Sequence, residues 1–172
     1  MYRGFWLSFG PMKLYKILFV CMGNICRSPA GECMMRHKVM EAGLGEKILC
    51  DSAGTIGFHA GSPPDARMRE AGRWRGISVS GASRLVTRED LEYFDLILAM
   101  DRENLADLKR LDKKGRYRDK LELFCAYCRS YNERDVPDPY YGGSEGFEHV
   151  FDLLEDGCAH LLEELKAYLL VS

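Results

Sequence analysis

Five residues separate Cys21 from Arg27 in the segment Cys21-Met22-Gly23-Asn24-Ile25-Cys26-Arg27-Ser28-Pro29. The segment places a thiol, a run of backbone amides and a guanidinium around one loop. Such a loop can hold a phosphate and attack it with sulfur. A free thiol has a pKa of about 8.5, which falls by several units at a helix N-terminus beside a cation. Cys21 is therefore expected to be a thiolate near neutral pH. Arg27 can grip two phosphate oxygens in fork geometry. A thiolate in line with a bound phosphoryl group forms a phosphocysteine, which splits hydrolysis into two steps. Ser28 is placed to hydrogen-bond the sulfur and help it leave in the second.

Spacing alone is weak evidence. Seven cysteines and fifteen arginines in 172 residues give roughly 0.6 such pairings by chance. A second match, Cys128 through Arg134, serves as an internal control. Its interior carries Arg129 and Glu133, has no glycine and follows no clear apolar strand. Glu133 would repel a phosphate, and without glycine the backbone does not readily curl its amides inward. The second match is discarded.

The elements around the first match are those an anion site needs. Leu14 to Val20 is mostly apolar and rich in strand formers, as a buried parallel strand requires. Gly23 and Asn24 are the residue types that most readily adopt positive φ. Ser28-Pro29 reads as an N-cap followed by proline in the first helical position. Met34, Met35, Val39 and Leu44 continue a helix towards Gly43 and Gly45. A helix start presents free N–H groups and partial positive charge to an anion.

The leaving group needs an acid, and Val136-Pro137-Asp138-Pro139-Tyr140-Tyr141-Gly142-Gly143 supplies one. Two prolines hold Asp138 in an extended, exposed turn. The cysteine loop with its Ser-Pro exit, together with Asp138-Pro139-Tyr140-Tyr141-Gly142, resembles the low-molecular-weight protein tyrosine phosphatase family from about Lys13 to the C-terminus. The resemblance implies Cys21 as nucleophile, Arg27 as phosphate ligand and Asp138 as general acid and later base. Met22, Gly23, Asn24, Ile25, Cys26 and Ser28 would complete the phosphate loop. It also implies a three-layer α/β fold, a small four-stranded parallel twisted sheet flanked by helices, with no metal or cofactor.

Further roles rest on the same resemblance. Cys26 would form a reversible disulfide with Cys21, shielding the nucleophile from irreversible oxidation; its plain alternative is a small buried residue. Ser52 would support Asn24. Animal members often add a histidine to that support, and a gap-free reading places Gly81 there. Phe58, Tyr140 and Tyr141 match positions flanking the substrate cleft, although an aromatic at any of them could equally be core. Asp101, where a strand meets a helix, is explained by an N-cap alone.

The remaining chain alternates strand and helix. Ile48 to Thr55 reads as a short strand, Pro64-Asp65 opens a helix through Trp74, and Phe94 to Met100 is a second buried strand. Leu121 to Phe124 is a weaker one. Phe147, Phe151, Leu154, Cys158, Leu161, Leu165 and Tyr168 step by four and three, the apolar face of a long final helix. Lys109 to Lys120 reads as a basic, solvated connection. Cys125-Ala126-Tyr127-Cys128 lacks the second ligand pair of a structural zinc site. Residues 1–12, with Tyr2, Phe5, Trp6 and Phe9, are expected to be a flexible appendage, the alternative being a docked tail; residues 13–172 are one phosphatase domain.

With 47% hydrophobic residues the chain can bury one α/β core. A net charge of −2 gives no reason to expect nucleic acid or membrane as partners, and no apolar run is long enough to span a bilayer. An odd cysteine count without a signal peptide points to a reducing cytoplasm. The expected partners are a phosphotyrosyl protein or aryl phosphate, with phosphate-like oxyanions as inhibitors. Two alternatives use the same loop. An arsenate reductase of related fold needs further relay cysteines, and none lies between Cys50 and Cys125. A phosphotyrosine-binding pseudoenzyme would be expected to have lost Cys21, Arg27 or Asp138. Phosphoarginine is a further substrate class, but enzymes of that class resemble this chain less at Ile25, where they carry threonine, and lack the paired tyrosines.

Overall fold

A computed structural model of the chain describes residues 14–171, so the expected appendage over 1–12 lies outside the described residues. Four strands, β1 (Tyr15–Cys21), β2 (Ile48–Gly54), β3 (Leu96–Ala99) and β4 (Leu121–Leu123), form one parallel sheet in the order β2-β1-β3-β4. The helices between them are α1 (Arg27–Glu41), α2 (Ala66–Trp74), α3 (Arg88–Tyr93) and α4 (Arg102–Leu111), and α5 (Ser144–Val171) closes the chain.

Alternation along β1 builds the three layers. Ile17, Phe19 and Cys21 face the core shared with α1, α2 and α5. Leu18 and Val20 face the smaller core, where Leu91 of α3 and Leu108 of α4 pack. Successive side chains of a strand point to opposite faces, so a strand buried on both must be apolar throughout. Gly31 lets α1 lie close on the sheet: a Cβ there would sit 2.9 Å from both Phe19 and Met100 side chains.

The strand order reverses at β1. The chain leaves β1 towards β2 on one side, and β3 adds on the other. Loops at the C-terminal ends of β1 and β3 therefore part, opening a crevice at the switch point. The cysteine loop leaves β1 there, and Asp101 follows β3 at the same edge.

Several boundaries differ from the sequence reading. The N-cap of α1 is Cys26, not Ser28. The Ser28 hydroxyl is instead engaged with Cys21, Asn24 and Ala53, so it is not free to cap. The short helix α3 was not anticipated; Thr87 and Asp90 begin it with a capping box. The stretch from Lys109 to Lys120 is more than a solvated connection. Asp112 is buried and accepts from the backbone N–H groups of Arg116 and Tyr117, and Lys120 Nζ donates to the carbonyls of Leu91, Glu92 and Phe94 at the end of α3.

Candidate active site

The loop between β1 and α1 curls because its carbonyls are drawn outward. Thr55 N–H donates to Cys21 O at 2.9 Å, Ile56 N–H to Met22 O at 3.1 Å, and Asp65 N–H to Ile25 O at 2.8 Å. The Ser83 hydroxyl donates to Gly23 O at 3.0 Å. A trans peptide unit points its N–H opposite its C=O. The following amides, those of Met22, Gly23, Asn24 and Cys26, are thereby turned into the loop, with the N-terminus of α1 behind them.

Two residues permit the curl. Asn24 has φ of 53°, and among the described residues it is the one non-glycine in the left-handed region. Gly23 does not share that conformation; it serves by lacking a side chain, since a Cβ there would lie 3.0 Å from His59 Cδ2. Gly54 matters for the same reason from β2, where a Cβ would come within 2.7 Å of Met22 O.

Cys21 lies at the floor. Its Sγ is 3.0 Å from Ser28 Oγ and accepts from Asn24 N–H at 3.3 Å. Arg27 is almost wholly buried beside it. Nη1 donates to Asp101 Oδ2 at 2.5 Å and to Val136 O at 3.0 Å, and Nη2 is 3.6 Å from Asp138 Oδ2. Burial pulls the guanidinium pKa down, but Cys21, Asp101 and Asp138 together outweigh it and raise it further. Asp101 also accepts from Asn104 N–H at 2.7 Å, so it caps α4 and anchors Arg27 at once.

Asp138 sits above the loop, half-exposed, and its Oδ1 accepts from Tyr140 N–H at 3.0 Å, an Asx-type turn. Val136 N–H donates to Met100 O at 2.7 Å and ties the segment to the end of β3. Arg67 of α2 braces it from the other side. Its Nη1 donates to Tyr140 O at 3.1 Å, and its guanidinium stacks 5.3 Å from the Tyr140 ring centroid.

A cavity of about 220 Å³ opens above Cys21. Its walls include Phe58, 85% exposed, on one side and Tyr140 with Tyr141, 88% exposed, on the other. All three aromatics therefore lie at the rim and not in the core. Cys26 lies beside Cys21 at the same cavity, and burial, with Asp65, Cys21 and Asp138, pushes its thiol up to about 12.

Behind the loop, Asn24 Nδ2 donates to Ser28 Oγ at 2.8 Å and Ser52 Oγ at 3.0 Å, while its Oδ1 accepts from Arg84 N–H at 2.9 Å. Gly81 contributes no side chain here; Ser52 donates onward to Glu32 Oε2 at 2.6 Å. The structure thus brings the cysteine loop, Asp138, Phe58, Tyr140 and Tyr141 together at one cavity, with Asn24, Ser28 and Ser52 linked behind it. It adds Glu32, Arg67, Ser83, Arg84 and His59, which sequence reasoning missed, and gives Asp101 its contact with Arg27. A buried glutamate on a helix face, or an arginine serving through its backbone N–H, leaves no signature in residue type or spacing.

A family model described as low molecular weight phosphotyrosine protein phosphatase matches residues 16–169. A chain from Synechocystis assigned to the low molecular weight protein-tyrosine-phosphatases is 53% identical over 150 residues, covering 87% of this chain and 96% of the relative. The crystal structure of a protein tyrosine phosphatase from Entamoeba histolytica, with Hepes in its active site, superposes with a TM-score of 0.85 at 44% identity and covers 89% of this chain and 97% of that one. A Drosophila arginine phosphatase structure gives a TM-score of 0.81 at 30% identity, covering 88% of this chain and 98% of that one.

Proposed function

Since the chain belongs to the low molecular weight phosphotyrosine protein phosphatase family, we propose that it hydrolyses phosphotyrosine in proteins, and simpler aryl phosphates, through a phosphocysteine. One observation carries the reading. The Cys21 sulfur, the Arg27 guanidinium and the Asp138 carboxyl meet at one cavity with aromatic walls.

In the first step the phosphoryl group lies among the loop amides and Arg27. The Cys21 thiolate attacks phosphorus, the bond to the phenolic oxygen breaks, and Asp138 gives that oxygen its proton. In the second step water attacks the phosphocysteine, Asp138 takes the water's proton, and the sulfur departs as thiolate with Ser28 donating to it. The amides and Arg27 stabilise charge where it develops on the equatorial oxygens. Phosphate-like oxyanions inhibit by occupying the same loop.

Phosphotyrosine is favoured over phosphoarginine because the cavity has aromatic walls, Phe58 facing Tyr140 and Tyr141, which suit a planar ring. All seven cysteines are free thiols, which supports a reducing, cytoplasmic setting for the enzyme. Among the described residues no helix is long and apolar enough to cross a membrane, and neither membrane nor nucleic acid is part of the proposal.

Hydrolysis of aryl phosphates with graded leaving groups tests the reading. Asp138→Ala should lose about 10²- to 10⁴-fold in rate on phosphotyrosine and far less on a phenol acidic enough to leave unprotonated. Full rate of Asp138→Ala on phosphotyrosine would remove Asp138 from the role of acid.

A further inference from the structure

The Ser28 hydroxyl has one proton and two neighbours that could take it, Cys21 Sγ and Ala53 O; an Asn24 carbonyl turned towards it would be a third. The hydroxyl accepts from Asn24 Nδ2 at 2.8 Å, and it lies 3.0 Å from Cys21 Sγ and 3.3 Å from Ala53 O. For Ser28 to donate towards the sulfur, Asn24 must present its NH2 group and not its carbonyl. Two contacts fix that orientation. Arg84 N–H holds Asn24 Oδ1 at 2.9 Å, and Ser52 Oγ receives the second Nδ2 proton at 3.0 Å.

Ser52 can receive a proton from Asn24 only if its own points elsewhere. It points to Glu32 Oε2 at 2.6 Å. Glu32 is only 8% exposed, and its other oxygen is held by Arg36. The chain Ser28–Asn24–Ser52–Glu32 therefore has a direction, and the carboxylate is its sink. Were Ser52 to turn its proton back towards Asn24, the amide would be driven to flip. Asn24 would then offer Oδ1 to Ser28, and the Ser28 proton would be drawn from the sulfur.

We infer that Glu32 is a positioning residue of the reaction: as terminal acceptor of this chain, it sets the direction in which Ser28 donates and so assists departure of the Cys21 sulfur. The inference rests on the phosphocysteine reading above. It requires the Glu32 oxygen that faces Ser52 to be an acceptor, as a carboxylate oxygen is. The charged groups facing it are Arg36 on its own helix and Asp51 on β2. Asp51 is in turn paired with Arg84. Burial raises the Glu32 pKa, and the Ser52 and Arg36 contacts oppose that rise. The groups facing Cys21 are Arg27 and, across the cavity, Asp138, His59 and Cys26.

Kinetics can separate direction-setting from simple support. Withdrawal of a hydrogen bond to a leaving thiolate slows breakdown of the phosphocysteine more than its formation. In Glu32→Leu, kcat on an aryl phosphate should fall about tenfold, the worth of one hydrogen bond to a charged group. KM should fall with it, because the intermediate accumulates. Acid quenching should trap more phosphate on Cys21 than in the unmodified enzyme. Ser52→Ala cuts the same chain in its middle and should show the same signature. The double variant should be no slower than either single one, since coupled residues are not additive.

A merely structural Glu32 would lower the active fraction, reducing kcat at unchanged KM with no extra trapped phosphate. That result, or two single effects that multiply in the double variant, overturns the inference. If Glu32→Leu does not fold, Ser52→Ala with Glu32→Gln carries the test. Gln keeps a carbonyl for Ser52 and should retain most of kcat, whereas Ser52→Ala should not. Equal loss in both would also overturn it. Absence of turnover in the unmodified protein would speak against the phosphatase reading itself.

Discussion

At the scale of single residues, the two cysteines of the loop have different chemistry because of what surrounds them. Cys21 lies beside Arg27 and Ser28. Cys26 is buried near Asp65 and Asp138, and its thiol is pushed up to about 12. It remains protonated at neutral pH and does not compete as nucleophile. It is nevertheless placed to condense with an oxidised neighbour. Peroxide converts a thiolate to sulfenic acid, and a nearby thiol closes it to a disulfide with loss of water. Peroxide-treated protein should therefore regain activity with added thiol, and the Cys26→Ser variant should regain clearly less. Equal recovery of the two, measured as aryl phosphate hydrolysis after the same exposure, would dismiss the protective pairing. Cys21, Arg27 and Asp138 were legible in the sequence because each is marked by type and spacing. Glu32 was not, because only the approach of β2 to α1 makes it the partner of Ser52.

At the scale of elements, Asp101 shows how one side chain can serve a helix and a site together. As N-cap it accepts from Asn104 N–H, and through its other oxygen it holds Arg27. Asparagine caps helices as well as aspartate does but brings no charge to a guanidinium. Asp101→Asn should leave thermal stability nearly unchanged while lowering kcat/KM about tenfold, the loss of one charge-assisted hydrogen bond. A drop in stability without a kinetic effect would reduce Asp101 to a cap. The sequence reading saw the cap because strand, aspartate and helix follow one another in the chain. It did not see the contact with Arg27, which depends on β1 and β3 lying side by side although they are far apart in sequence. The four strands and the long helices were legible from apolar runs and from steps of four and three. α3 was missed because its six residues make fewer than two turns, too few for an apolar spacing to repeat.

At the scale of the whole molecule, the fold places its charged pairs so that acid acts in two directions. Asp65 is depressed by its hydrogen bonds from Arg67, and Asp135 by those from Arg102. Each contributes stability that is present above the unfolded carboxyl value of about 3.9 and is lost as pH falls through the lower folded value. Glu32 acts oppositely. Burial raises it, so its ionisation costs stability above the raised folded value, and that cost vanishes below the unfolded value of about 4.3. The thermal midpoint should therefore not fall between about pH 7 and pH 5, and should fall steeply below about pH 4. A steady decline from neutrality onwards would show that other groups govern acid stability. The parallel sheet and its reversal at β1 give the molecule one crevice where loop, acid and aromatic walls can meet.

Phosphate release from a phosphotyrosyl peptide under reducing conditions, with wild type beside Cys21→Ser, decides whether hydrolysis runs through the Cys21 sulfur. Release by the wild type and none by Cys21→Ser, with inorganic phosphate still binding to the variant, is the predicted result. Release by both, or by neither, would contradict a phosphocysteine formed on Cys21.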